Sequence, residues 1–410
     1  MVQTVAFAGV ILFVGYGIRQ LVPALARVNI PAPVCGGLPV AAILAVLYFY
    51  DIQPIKFDTT LQTPLQNAFF ASVGFGASVA LLLRGGVLVI VFFVLATVVA
   101  ALQNLVGGLV AIGLGQHPLM GVLAGSVTLT GGPATGLAFA PFFQEAGVPG
   151  AATLAVAAAM VGIVAGGVIG GPIGTYLIER RGLAPRDASA PGRPPRETME
   201  GVVERQFVDP VAETPPGEDV EAYVLVKHLV IVLAAMAIGL WVSNWLTASL
   251  KQFDMTLPVY IGAMIIAAIF RNLDDLTRVF GISQRIIDDL GTVALSLFLV
   301  MALMTLRLWE IAGLVLPLLI ILAAQVLLIV ALCLIVVPRV MGRDYDAAVM
   351  SGGFAGFMLG TTANAMANMG ALVERYGPSP KAYFVVPLVG AFAIDFTNAI
   401  LITFFLNLWR

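Results

Sequence analysis

GSVTLTGGPATG, residues Gly125–Gly136, packs four hydroxyl side chains, four glycines and a proline into one short run. Apolar stretches lie on either side of it, among them Val87–Leu114 and Ala151–Ile178. Glycine and proline interrupt a helix and free backbone N–H and C=O groups. A second run of the same character, GGFAGFMLGTTANAMANMG, occupies Gly352–Gly370.

The setting of these runs decides their meaning. The chain is 60% hydrophobic and 11% charged, whereas soluble domains carry about 25% charged residues. That balance excludes a soluble globular protein and predicts an all-α polytopic membrane protein, each span needing about 20 apolar residues. Ten spans are expected: Thr4–Val22, Pro33–Tyr50, Thr63–Leu83, Val87–Leu114, Ala151–Ile178, Val224–Leu246, Leu257–Phe270, Ile286–Leu306, Ile311–Val337 and Tyr383–Leu408. No basic stretch precedes the first apolar run, so a cleaved signal peptide is not expected. Cys35 and Cys333 sit singly in apolar segments and suggest neither a disulfide framework nor a metal site. His117 and His228 fall near span ends and read as solvated interface residues. The net charge of −2 points to no particular partner, and nothing suggests nucleic acid.

One segment, residues 181–221, is rich in proline and in charges of both signs and reads as a flexible connector. It separates a first unit, 1–180, from a second, 222–410. The units share a weak repeat. Pro33, Val34 and Gly37 match Pro258, Val259 and Gly262; Arg84 matches Arg307; Gln103 matches Gln325, all at nearly one offset. Such internal repeats mark secondary transporters. Five spans per unit would invert the second copy. Lysine and arginine collect on the cytoplasmic side, and placing both termini outside puts 17 of the 21 basic residues there.

This count requires residues 118–143 and 347–373 to enter and leave on one side, as re-entrant hairpins. Broken backbone at membrane depth is tolerated only when buried in protein or lining a wet cavity. Helix starts at such tips aim N–H groups at anions, and freed carbonyls suit cations. A plain packing role fits Gly162, Gly166, Gly167, Gly170, Gly171 and Gly174, because small residues let helices approach. It fits the two strips less well. Thr128, Thr130, Gly131, Gly132 and Thr135 in the first, and Gly360, Thr361, Thr362, Asn364 and Asn368 in the second, offer more hydrogen bonding than packing needs.

Asp395 stands near the middle of the last span, with Asn398 one turn later on the same face. An intramembrane carboxylate is costly and marks a functional site by default. A cation ligand, or a partner for a substrate ammonium, is the expected role; a hydrogen-bonded structural carboxylate is the plain alternative. Gln103, Asn104 and Gln325 read as hydrogen-bonding glue between helices. Asn272–Asp289 reads as an amphipathic turn at the interface. No second acid, base or metal cluster accompanies Asp395, which disfavours an enzyme; no ring of like charges suggests a channel.

The residues at this point resemble the bacterial sodium/glutamate symporters. The likeness is densest in LLRGG (82–86), HPLMGVLAGSVTLTGG (117–132), LSLFLVMALMTLRLWE (295–310), MGRDYDAAV (341–349) and ERYGPSPKAYFVVPLVGAFAIDFTNA (374–399). It implies a sodium-coupled glutamate symporter of the bacterial inner membrane, a homodimer with ten spans and two re-entrant hairpins, and a likeness to elevator-type carriers. The substrate, L-glutamate or a related acid, is then expected on the ten strip residues named above. Sodium, the coupling ion in place of any cofactor, is expected at Asp395, Asn398 and Asn364. Where the family's first loop reads Gly-Gly-His-Gly, this chain has Pro133 and Ala134 after the two glycines. The second loop lacks the proline expected after its threonines. Symport of another organic anion or dicarboxylate, with sodium or protons, is the alternative reading.

Overall fold

The computed structural model describes residues 1–50, 52, 57–80, 86–183, 220–250 and 258–410, and all of the regular elements in them are helical. Lys56, Arg84 and nearly all of the expected connector lie outside these residues. Seven of the described helices are long and apolar enough to cross a membrane. They are α1 (Val2–Leu21), α2 (Ala32–Phe49), α4 (Gly86–Gly113), α7 (Ala151–Arg181), α8 (Val220–Leu250), α10 (Gln284–Leu303) and α11 (Val315–Ile335).

The other three expected spans are helical but differ in form, for reasons visible in their residues. α3 (Gln62–Gly76) has 15 residues and stops before the segment that would complete it, 81–85, which is outside the description. α9 (Val259–Thr277) is long enough, but its last turns carry Arg271, Asp274 and Asp275. The last span is split: α14 (Pro380–Leu388) runs into a π turn at Val389–Ala393 and then α15 (Ile394–Leu408). Pro387 removes one backbone donor just before that turn.

Both polar strips form helix–break–helix segments. The first is α5 (Pro118–Val122), continued by a π turn at Leu123–Val127, then α6 (Gly132–Glu145). The second is α12 (Tyr345–Leu359) followed by α13 (Thr362–Tyr376). At 1.5 Å per residue, none of these arms reaches the roughly 30 Å of a hydrocarbon core.

The helices sort into two groups. α1, α2, α3, α8, α9 and α10 pack on one another. α4, α7, α11, both broken segments and the α14–α15 helix form the second group. Between the groups, α6 meets α10, while α3 meets α15 and the π turn before it. One aromatic stack marks this junction: Tyr260 of α9 lies against Phe70 of α3 at 4.3 Å and edge-on to Phe139 of α6 at 5.4 Å. Within the first group, α1 crosses α2 through Gly15 and Gly36, and α8 crosses α9 through Gly239 and Gly262. At each of these positions an added Cβ would collide with the facing backbone.

Of the Asn272–Asp289 stretch, Asn272–Thr277 ends α9 and Gln284–Asp289 begins α10, with Leu276 and Val279 exposed; only Arg278–Ser283 forms the turn between them. Its shape comes from Asp274, whose carboxylate accepts the N–H groups of Phe280 (2.7 Å), Gly281 (3.0 Å) and Ile282 (2.8 Å). His228, expected at a solvated interface, is instead buried against this turn. Its Nε2 accepts the Ser283 N–H at 2.8 Å, and Nδ1 lies 2.7 Å from the Val224 carbonyl. The turn folds back over α8 and brings a backbone donor to the ring. His117 caps α5, its Nδ1 accepting the Leu119 N–H at 3.3 Å.

Candidate functional site

The first break starts at Gly125, whose φ/ψ of −101°/−132° leaves the helix. The freed groups of the next residue are taken up by two other helices. The Ser126 N–H donates to Asn104 Oδ1 of α4 at 2.9 Å, and its carbonyl accepts Asn398 Nδ2 of α15 at 3.0 Å. Thr128 turns its hydroxyl back to the Leu123 carbonyl at 2.7 Å. Gly132 adopts φ +70°, a left-handed conformation that favours glycine, and opens α6 with Pro133 at the first turn. No side chain caps the start of α6.

The second break lies at Gly360 and Thr361. Thr361 is extended and accepts the Asn364 N–H on its hydroxyl at 3.4 Å, a helix N-cap. Thr362 donates to the Gly390 carbonyl, inside the π turn, at 3.1 Å. Asn364 Nδ2 donates to the Ile163 carbonyl of α7 at 2.7 Å, and Asn368 Nδ2 to that of Gly166 at 2.8 Å.

Those two bonds depend on the glycines of α7. At Gly162, Gly166, Gly170 and Gly174 a Cβ would press on Leu359, Gly356, Asn368 or Leu372 of the second strip segment. Gly167 and Gly171 do not share this role: a Cβ at Gly167 meets only ordinary contacts near 4 Å, and one at Gly171 meets nothing. The packing stripe expected over six glycines therefore comprises four, spaced every fourth residue along one face.

One helix touches both breaks. Asn398 reaches the first strip through Ser126, and Gly390 reaches the second through Thr362. Asp395 lies between them on the same helix, partly buried, and takes no hydrogen bond or ion pair from any described residue. Asn398 spends its NH2 on Ser126, and its Oδ1 is left buried without a partner. Asn364 Oδ1 is in the same condition, and so are Ser126 Oγ and Gln325 Oε1. Buried polar atoms are normally satisfied. Amide and hydroxyl oxygens of this kind suit hard cations, which take oxygen ligands. Among the described residues no three His, Cys, Asp or Glu side chains cluster for a transition metal.

The expected site residues thus divide. Asp395, Asn398 and Asn364 keep unspent oxygens. Thr128, Thr362 and Asn368 spend their side-chain donors on carbonyls of the protein, and Thr130 donates to Gln103 Oε1 at 2.7 Å. Gly131, Gly132, Gly360 and Thr361 supply backbone at the breaks, and Thr135 is buried in the first turn of α6. Ser126 was not among the expected residues, although both its backbone groups and its hydroxyl lie at the centre of the first break. Its position beside Gly125 was the available signal.

A cavity of about 600 Å³ opens elsewhere, between α6, the start of α7 and the end of α10. Gln144, Glu145, Thr153, Thr305, Arg307 and Glu310 line part of it, and Arg307 pairs with Glu310 at 3.3 Å. None of the residues at the two breaks borders it.

Comparison with known proteins agrees with the early resemblance. Residues 1–378 match the sequence model of a family described as sodium/glutamate symporter. A sodium/glutamate symporter of Haemophilus influenzae is 38% identical over 403 residues, covering 98% of this chain and 95% of its own. One from Escherichia coli K12 is 38% identical over 407 residues, covering 99% and 97%.

Proposed function

The chain belongs to the sodium/glutamate symporter family, and from that membership we propose that it carries glutamate into the cell together with sodium. It is a transporter and not an enzyme. The observation that supports a coupled site in this chain is the convergence of both helix breaks on the α14–α15 helix, with unspent oxygens at Asn398 and Asn364 and the carboxylate of Asp395, which pairs with none of the described residues. In this reading sodium binds at Asp395, Asn398 and Asn364. The glutamate carboxylates meet the N–H groups that start α6 and α13, where positive helix ends favour anions. Sodium entering down the membrane potential contributes about 2.3 kcal/mol per charge per 100 mV.

The ten-span, inverted-repeat topology is part of the same proposal, and so is an elevator-like motion. All the strip residues belong to one helix group, which can move as a unit against α1–α3 and α8–α10. α1 crosses α2 and α8 crosses α9 through glycines in both halves, which supports their equivalence, although α2 uses Gly36, next to the Gly37 that matches Gly262. The cavity lined by Gln144 and Arg307 would then be an outer approach to the site. The protein would sit as a homodimer in the bacterial inner membrane with both termini outside. Cysteines placed at Gln144 and Arg181 test the orientation against a low background, because Cys35 and Cys333 are buried. An impermeant thiol reagent is expected to label Gln144→Cys in intact cells and to spare Arg181→Cys until the membrane is opened. The reverse pattern would overturn the orientation.

Uptake of radiolabelled glutamate into proteoliposomes tests the function. Accumulation is expected under an inward sodium gradient and is expected to vanish without sodium. Accumulation driven equally by a proton gradient would defeat sodium coupling. Pro133 and Ala134, at the start of α6, are the residues that favour another organic anion; stronger competition by a dicarboxylate than by unlabelled glutamate would decide for it.

A further inference from the structure

Gln103 lies in the middle of α4, fully buried, and its amide is used at both ends by the two breaks. Oε1 accepts the Thr130 hydroxyl at 2.7 Å, one residue before the glycine pair that opens α6. Nε2 donates to the Met358 carbonyl at 2.8 Å, two residues before Gly360. The backbone at Gln103 is anchored as well, its carbonyl accepting Gln325 Nε2 of α11 at 2.7 Å. Ordinary glue between spans would bond one span to another. Both side-chain partners of Gln103 belong to the strip segments instead. An amide is suited to this role because it accepts on one atom and donates from the other; a carboxylate, a hydrocarbon or a hydroxyl of the same reach cannot do both in these directions.

We infer that Gln103 is a positioning residue that couples the two helix breaks, so that sodium and substrate bind cooperatively. The inference rests on the symport reading and adds to it a residue that touches neither ligand. The mechanical argument is short. A ligand that fixes one tip fixes Gln103, and Gln103 holds the other tip in the geometry its own ligand needs. Coupling of this kind is reciprocal: sodium raises substrate affinity by the factor by which substrate raises sodium affinity. Next to Gln103, Asn104 holds Ser126, whose carbonyl is held in turn by Asn398. The α4 turn is therefore connected both to the first break and to the helix that carries Asp395.

The test is glutamate binding to the purified protein, measured in sodium-free buffer and at saturating sodium. The ratio of the two dissociation constants is the coupling factor. Gln103→Leu removes both bonds and is expected to reduce that factor about tenfold or more, within the 5–150-fold range usual for coupled sites. Gln103→Met has nearly the same reach and loses both bonds; it is expected to reduce the factor too, and it serves if the leucine variant does not insert. Ser243→Ala, which removes the buried bond from α8 to the Pro258 carbonyl at the start of α9, is the structural control: it is expected to lower thermal stability and leave the factor unchanged. A folded Gln103 variant with the coupling factor of the unmodified protein would overturn the inference. Absence of sodium-dependent glutamate binding in the unmodified protein would instead defeat the symport reading on which it rests.

Discussion

Asp395→Asn is expected to abolish sodium-driven glutamate uptake while the protein still inserts and folds. The substitution keeps shape and removes charge. Asn398, one turn on, is tied to Ser126, and Thr362 is tied to the π turn one turn before; neither bond involves the carboxylate. The helix therefore keeps its place in the variant. What changes is the cation. Removing one partner of a desolvated charge pair costs about 3–5 kcal/mol, which corresponds to roughly two to four orders of magnitude in affinity. Substrate binding across a sodium series assigns the role. If Asp395 holds sodium, the variant needs far more sodium to bind glutamate, and affinity recovers when that sodium is supplied. If it meets the substrate ammonium, affinity stays low at every sodium level. Sodium-coupled uptake at the normal rate would return Asp395 to a structural role.

Asp395 could be read from the sequence because charge is so scarce in this chain. A single carboxylate inside an apolar span needs no partner to be noticed. The helix breaks were readable for the same reason: glycine, proline and hydroxyl residues stand out against long apolar runs, and the structure breaks at Gly125 and Gly360 within the two quoted strips. What the sequence could not give was the partner of each polar group. Gln103 looks like a lone amide in an apolar helix, and its role depends on one carbonyl and one hydroxyl brought to it by distant segments. His228 sits near the end of an apolar run, where solvent is the natural guess; only the fold of the Asp274 turn puts the Ser283 N–H on its ring. The split of the last span at Val389–Ala393 was not legible either, since Pro387 and Gly390 are ordinary residues in membrane helices.

The glycines of α7 supply a sharp contrast between neighbours. Gly170→Val is expected to destroy transport, and Gly171→Val to leave it nearly intact. At Gly170 a Cβ would collide with the Asn368 amide and with the Gly352 carbonyl, both on the second strip segment. Gly352 is backbone and cannot yield without moving α12. Asn368 could yield only by breaking its bond to the Gly166 carbonyl, which leaves buried polar groups unpaired. Either response pulls the second break away from α7 and releases Asn364 from the Ile163 carbonyl, so the oxygen that Asn364 presents is lost along with the packing. Gly171, one residue on, faces away; a Cβ there meets nothing within 4 Å. Its valine variant changes only side-chain volume on an open face and the helix propensity at one position, a matter of a few tenths of a kcal/mol. Expression, thermal stability in detergent and uptake, measured for both variants, check this. Equal loss in the two would mean that α7 tolerates no β-branched residue anywhere along this stretch, and that the four-glycine face has no special part in holding the second strip.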